Sequence, residues 1–223
     1  MAAVNRPSAA HLALAINADV RALPVRNTAA VRTVRRKYSR LLKDSPASLV
    51  INIAKKLIKE HGYGWLGYEL IRYHQLAFQL IGEKELRAFI KGIDNWGTAD
   101  AFATILSGPL WLHHRAPDSL ITEWAQSRNR WQRRIALAST VALNRLASGG
   151  GGNGKKTLKI CRLLVDDCDD MVEKALSWAL RELIADDRAA VRNFLVQHDG
   201  VLAARVKREV NNKLRSGLKN PKK

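Results

Sequence analysis

Apolar side chains recur at intervals of three and four residues along almost the whole chain, and the two-residue alternation of a half-buried strand is almost absent. Residues 46–61 show the pattern clearly. Pro46 suits a first helical turn, and Leu49, Val50, Ile53, Ala54, Leu57 and Ile58 share one stripe that Lys55, Lys56 and Lys59 avoid. Comparable segments cover 9–22, 28–43, 65–81, 83–93, 96–107, 117–127, 130–147, 155–166, 170–185, 187–198 and 201–216. The connections are short, as in antiparallel helix pairs. Asn95-Trp96, Arg130-Trp131 and Asp170-Met171 open helices in one register, at nearly regular intervals. A period of roughly 40 residues with two helices in each repeat marks an all-α solenoid, whose stacked pairs present an extended concave face. A non-repetitive helical bundle is the other architecture this pattern allows.

Charge decides what such a surface meets. Lys and Arg number 38 against 20 Asp and Glu, a formal charge of +18. So large an excess repels itself unless a polyanion offsets it, and nucleic acid suits that role better than an anionic membrane. No apolar run approaches the ~20 residues of a membrane span, and no basic helix with a Trp/Leu face stands out. The opening Met-Ala-Ala-Val-Asn-Arg-Pro lacks the apolar centre of a secretory signal, so the cytoplasm or nucleoid is expected. Cys161 and Cys168 form no zinc or redox motif and are expected as buried free thiols. One domain is expected over 1–216, followed by a frayed basic tail at 217–223. Ser148 to Gly154 is expected to be a flexible loop.

Several side chains could carry chemistry. The basic residues of 26–43, among them Arg32 and Arg36, have no acid among them. An acid-free helical run of this kind suits phosphate contacts. Trp96 and Asp100 are one turn apart at the edge of a stripe made by Ala99, Phe102, Ala103 and Leu106. An indole beside a carboxylate can face a developing cation; Asp100 can equally be paired with a basic residue. Trp178 lies among Lys174, Arg181 and Glu182, off the stripe of Leu176, Ala179, Leu180 and Leu183. It suits stacking on a base or sugar, or cover by the next repeat. Arg134, on a largely apolar helix, needs a phosphate or an internal carboxylate. Gly149–Lys156 nearly fits a P-loop, but Lys156 replaces the magnesium-binding hydroxyl and no strand precedes it. His113-His114 lacks metal spacing, and neither metal nor cofactor is expected.

The motifs Trp96-Gly-Thr-Ala-Asp100, Trp131-Gln-Arg-Arg134 and Ala175-Leu-Ser-Trp178-Ala-Leu-Arg181-Glu182 together resemble the AlkD-type DNA glycosylases, the HEAT-like-repeat alkylpurine DNA glycosylases. The likeness runs over roughly 24–216 and includes the closing Val206-Lys-Arg-Glu stretch. Gly97 departs from it, standing where the family usually has an acid. The resemblance implies a right-handed superhelix of HEAT-like helix pairs that cups duplex DNA; a monomer suits such a single-lesion reader. The resemblance also implies excision of cationic N3- and N7-alkylpurines, such as N3-methyladenine and N7-methylguanine, without flipping the base into a pocket. It makes Asp100 the catalytic carboxylate, with Trp96 and Trp178 flanking the scissile bond. Arg134 and Arg181 would hold phosphates, and Thr28, Arg32 and Arg36 match a DNA-contacting helix near the N-terminus. The rival functions are non-catalytic binding of branched or bent DNA, and scaffolding of an acidic protein.

Overall fold

The computed structural model describes residues 7–221; the start of the sequence before Pro7 and the end of its basic tail after Pro221 lie outside the described residues. The fold is all-helical, with no strand among the described residues. The chain forms two compact units, Met1–Ile81 and Gly82–Lys223.

The first unit holds α1 (Ala9–Arg21), α2 (Thr28–Leu41), α3 (Ala47–His61), α4 (Gly64–Arg72) and α5 (Gln75–Leu80); α1, α4 and α5 pack on α3, and α2 packs on α4 and α1. Helix starts follow local chemistry. Ser8 and Asn27 side chains accept from the backbone N–H three residues on, satisfying donors that the first turn leaves free. Helix α3 stops at Gly62, whose φ of 69° is the left-handed cap that glycine adopts without strain. Ile16, Val50, Ile53, Ala54, Leu57, Tyr68 and Ile71 are buried between the helices. Residues 65–81, read as one helix, divide in two at Tyr73. His74 then caps α5 by accepting from the Ala77 N–H at 3.0 Å.

The second unit contains α6 (Glu83–Phe89), α7 (Trp96–Phe102), α8 (Gly108–Leu112), α9 (Asp118–Ala125), α10 (Arg130–Asn144), α11 (Gly154–Leu163), α12 (Asp170–Leu183), α13 (Arg188–Gln197) and α14 (Ala204–Ser216). Its helices stack in order: α7 on α10, α10 on α12 and α12 on α14, with α9 and α11 forming the adjoining layer. Helix α10 is central, and every residue from Arg134 to Asn144 is buried. At roughly 1.5–3 kcal/mol for each fully buried large apolar side chain, burial supplies most of the stability.

Helices α7 and α8 are joined by a π-helical turn, Ala103–Ser107, making an uninterrupted run from Trp96 to Leu112. Sequence periodicity ends this helix at 107, because Pro109 removes an N–H and its ring opposes the carbonyl four residues back. The wider turn avoids that clash, and the Gly108 N–H reaches back five residues to Ala103 O. Gly108 also lies against α10: a Cβ there would come within 2.6 Å of Ser139 O and 2.8 Å of Ala142 Cβ. Ser107 and Ser139 hydroxyls bond at 2.6 Å in the same dry contact.

Three expectations change. Residues 148–154 are not an open loop: Gly150 N–H donates to Arg145 O, Gly152 N–H to Leu143 O and Asn153 N–H to the Asn144 side chain. Gly150 is buried, and a Cβ there would run into Ala142 O and the Leu143 carbonyl. Glycine here serves close approach rather than mobility. Cys161 is buried, and burial pushes its thiol up to about 12, but α11 ends before Cys168, which is exposed; both are free. The first part of the tail turns back onto α14, with Asn212 donating to Lys219 O and Lys219 Nζ 3.4 Å from Glu209.

Gly108→Val is expected to lower stability by about 1–3 kcal/mol, since neither backbone nor α10 can yield to the added branch. Urea unfolding of the variant against the parent measures this.

Candidate functional site

Helix α7 opens at Trp96, where Asn95 accepts from the Thr98 N–H at 2.9 Å. Ala99 and Phe102 turn into the core, so Trp96 and Asp100 lie at the edge of the buried stripe; Trp96 is 61% exposed. The Thr104 hydroxyl donates to Asp100 O at 2.7 Å, within the π turn that follows.

Asp100 is paired with Arg134. Arg134 Nε donates to Oδ1 and Nη2 to Oδ2, both at 2.8 Å. This is a two-pronged contact between α7 and α10, the arrangement that gives an ion pair both strength and direction. Arg134 Nη1 donates to Met171 O at 2.5 Å, so the guanidinium also grips α12. Its side chain is only 7% exposed, while that of Asp100 is 21% exposed. A carboxylate offers about four lone-pair directions and this pairing takes two, which leaves acceptor capacity at the open edge. Arg134, expected to hold a phosphate, is thus engaged by protein oxygens on both sides.

Trp178 belongs to a separate group on the same helix as Met171, two turns on. Its Nε1 donates to Glu182 Oε1 at 3.0 Å, and Arg145 Nη2 donates to that oxygen at 2.7 Å. The Arg145 guanidinium also lies over the indole, 5.9 Å from its centroid, where the ring's negative face attracts a cation. Trp178 is half-buried and held in orientation, and no hydrogen bond or ion pair joins it to Asp100 among the described residues. Burial raises the Glu182 carboxyl, but the Arg145 and Trp178 hydrogen bonds and the Arg145 and Arg181 charges bring it below the usual range.

Arg181 is half-buried and donates to Ser177 Oγ at 3.2 Å; Ser177 in turn donates to the buried Glu209 at 2.7 Å. Burial lowers the Arg181 guanidinium, against the opposing charges of Glu209 and Glu182. Arg130 lies over Trp131 at 4.9 Å and 3.5 Å from Asp169.

In the first unit, Thr28 is exposed at the start of α2 and Arg36 is exposed one turn after Arg32. Arg32 donates to Glu69 at 3.0 Å and lies 5.6 Å over Trp65. Among the described residues no group of three or more His, Cys, Asp and Glu could hold a metal ion.

Sequence inspection missed Glu182, Ser177 and Glu69 as partners of Trp178, Arg181 and Arg32. One signal was available: Asp100–Arg134 and Arg145–Glu182 are opposite charges 34 and 37 residues apart, one helical repeat.

Because the Glu182 carboxyl is lowered in the folded chain, its contribution to stability is complete above its ordinary value of 4.5. That contribution is lost as pH falls through the lowered value. Glu182→Gln should therefore flatten the acid side of the stability curve below pH 4.5, while costing stability at neutral pH. Urea midpoints measured across that interval test the sign.

The model of one protein family matches residues 2–214: the DNA alkylation repair enzymes. No curated protein matches the chain. With the match spanning nearly the whole sequence of an all-helical chain, the chain belongs to the DNA alkylation repair enzyme family.

Proposed function

We propose that the chain is a DNA glycosylase that hydrolyses the N-glycosidic bond of cationic N3- and N7-alkylpurines in duplex DNA, acting as a monomer with residues 1–216 as a single HEAT-like-repeat glycosylase domain. The observation that carries this reading is the Asp100 carboxylate, oriented by Arg134 and open at one edge, one turn from an exposed indole. The family match supports the substrate class.

Alkylation at N3 or N7 places positive charge on the purine and makes it a good leaving group. Cleavage then develops oxocarbenium character on the deoxyribose. The free lone pairs of Asp100 stabilise that charge and orient the attacking water, as a glycosidase carboxylate does. The π faces of Trp96 and Trp178 favour a cationic sugar beside them. Lesion charge activates the bond, so the base need not enter a pocket. Arg181, Thr28, Arg32 and Arg36 take backbone phosphates in this reading. Arg134 orients Asp100, and its remaining Nη protons are the ones a phosphate could take.

The same ion pair favours a second reading, binding of branched or bent DNA without catalysis, if Arg134 keeps Asp100 as a purely structural link between α7 and α10. Asp100→Asn separates the two. We expect the variant to bind alkylated duplex within about twofold of the parent and to lose ~100- to 10,000-fold in release of N7-methylguanine. Release at the parental rate would remove Asp100 from the catalytic role, and no release by the parent itself would leave the non-catalytic reading.

A further inference from the structure

Glu69 is a deeply buried acid of the first unit, 3% exposed, and the proposed hydrolysis makes no use of it. Its two oxygens accept from Arg32 Nε and Arg35 Nε, each at 3.0 Å. One carboxylate thereby immobilises two guanidiniums one turn apart on α2. Each guanidinium also lies over a ring from the α4 segment: Arg32 over Trp65 at 5.6 Å, and Arg35 over Tyr73 at 4.2 Å.

The register explains why these groups meet. Trp65, Glu69 and Tyr73 recur at every fourth position, so they form one ridge; Arg32, Arg35 and Arg36 form the facing ridge on α2. Tyr73 is 60% exposed, so the ring that Arg35 covers on one face remains open to solvent. Arg36 is exposed beside Arg32, and Arg72 lies over Phe78 at 4.5 Å. Four arginines thus stand against one acid.

Fixed cations on flat aromatic rings are what a strand with unpaired bases requires: phosphates meet the guanidiniums, and bases stack on the open ring faces. A duplex keeps its bases in its own stack and has no use for the rings. An acidic peptide has no use for them either. We propose that this α2–α4 face is a stacking platform for single-stranded DNA, with Tyr73 and Trp65 taking bases and Arg32, Arg35 and Arg36 taking phosphates. The proposal rests on the reading of the chain as a DNA-binding protein, not on its catalysis.

The test uses the full chain and fluorescence anisotropy with an oligothymidylate of about 12 nucleotides, an abasic strand of equal length and a duplex of equal length. Tyr73→Ala should weaken oligothymidylate binding about tenfold, and Tyr73→Phe should restore it, because the ring and not the hydroxyl is at work. Binding of the abasic strand and the duplex should change by less than about twofold. No loss with oligothymidylate, equal loss on all three probes, or failure of Tyr73→Phe to restore binding would overturn the platform, as would a poly-glutamate peptide binding as tightly as oligothymidylate. Release of N7-methylguanine by the parent is measured separately. Activity without Tyr73-dependent strand binding removes the platform alone; strand binding without activity removes only the glycosylase reading.

Discussion

A guanidinium buried between helical layers has little water to satisfy it, so it must find protein oxygens for most of its donors. Arg134 finds Asp100 one repeat earlier and Met171 O one repeat later, and in doing so ties α7, α10 and α12 together. Polar partners one repeat apart recur through the second unit: Arg133 meets Asp167, Arg145 meets Glu182 and Ser177 meets Glu209. In the first unit the buried group is a carboxylate, Glu69, which is satisfied by Arg32 and Arg35. Removing one partner of such a pair leaves a polar group buried and unpaired, at a cost of about 3–5 kcal/mol when it is fully enclosed.

These links are not the main source of stability. Desolvating two charges offsets most of what their attraction returns, whereas apolar burial along α10 and its neighbours carries no such penalty. What the ion pairs determine is register. An apolar stripe can slide along another with modest loss; a forked Arg–carboxylate contact cannot. Asp100 owes its orientation to this, and the close contact of Gly108 with Ser139 O sets the spacing of α7–α8 against α10. The π turn between them reconciles Pro109 with a helix that must continue to reach that contact.

The indoles illustrate two solutions for aromatic groups at a helix surface. Trp96, at the first turn of α7, is left open. Trp178, mid-helix, is clamped through its N–H by Glu182, which Arg145 holds in turn. The first can move to meet a ligand; the second presents an already oriented face, at lower entropic cost on binding.

Period and composition determined the helical class, most helix positions and the basic character, while three short motifs pointed to the family by resemblance. These are local properties: amphipathic spacing, capping by Ser8, Asn27, Asn95 and Asp169, and residue identity do not depend on what lies a whole repeat away. Partnership does depend on it. Whether Arg134 meets phosphate or Asp100, whether Ser148–Gly154 is loose or sewn to Asn144, and whether two arginines of α2 converge on Glu69 were decided only when successive helices stacked. Side chains of adjoining layers then come within hydrogen-bond reach of each other, across separations that a local pattern does not encode.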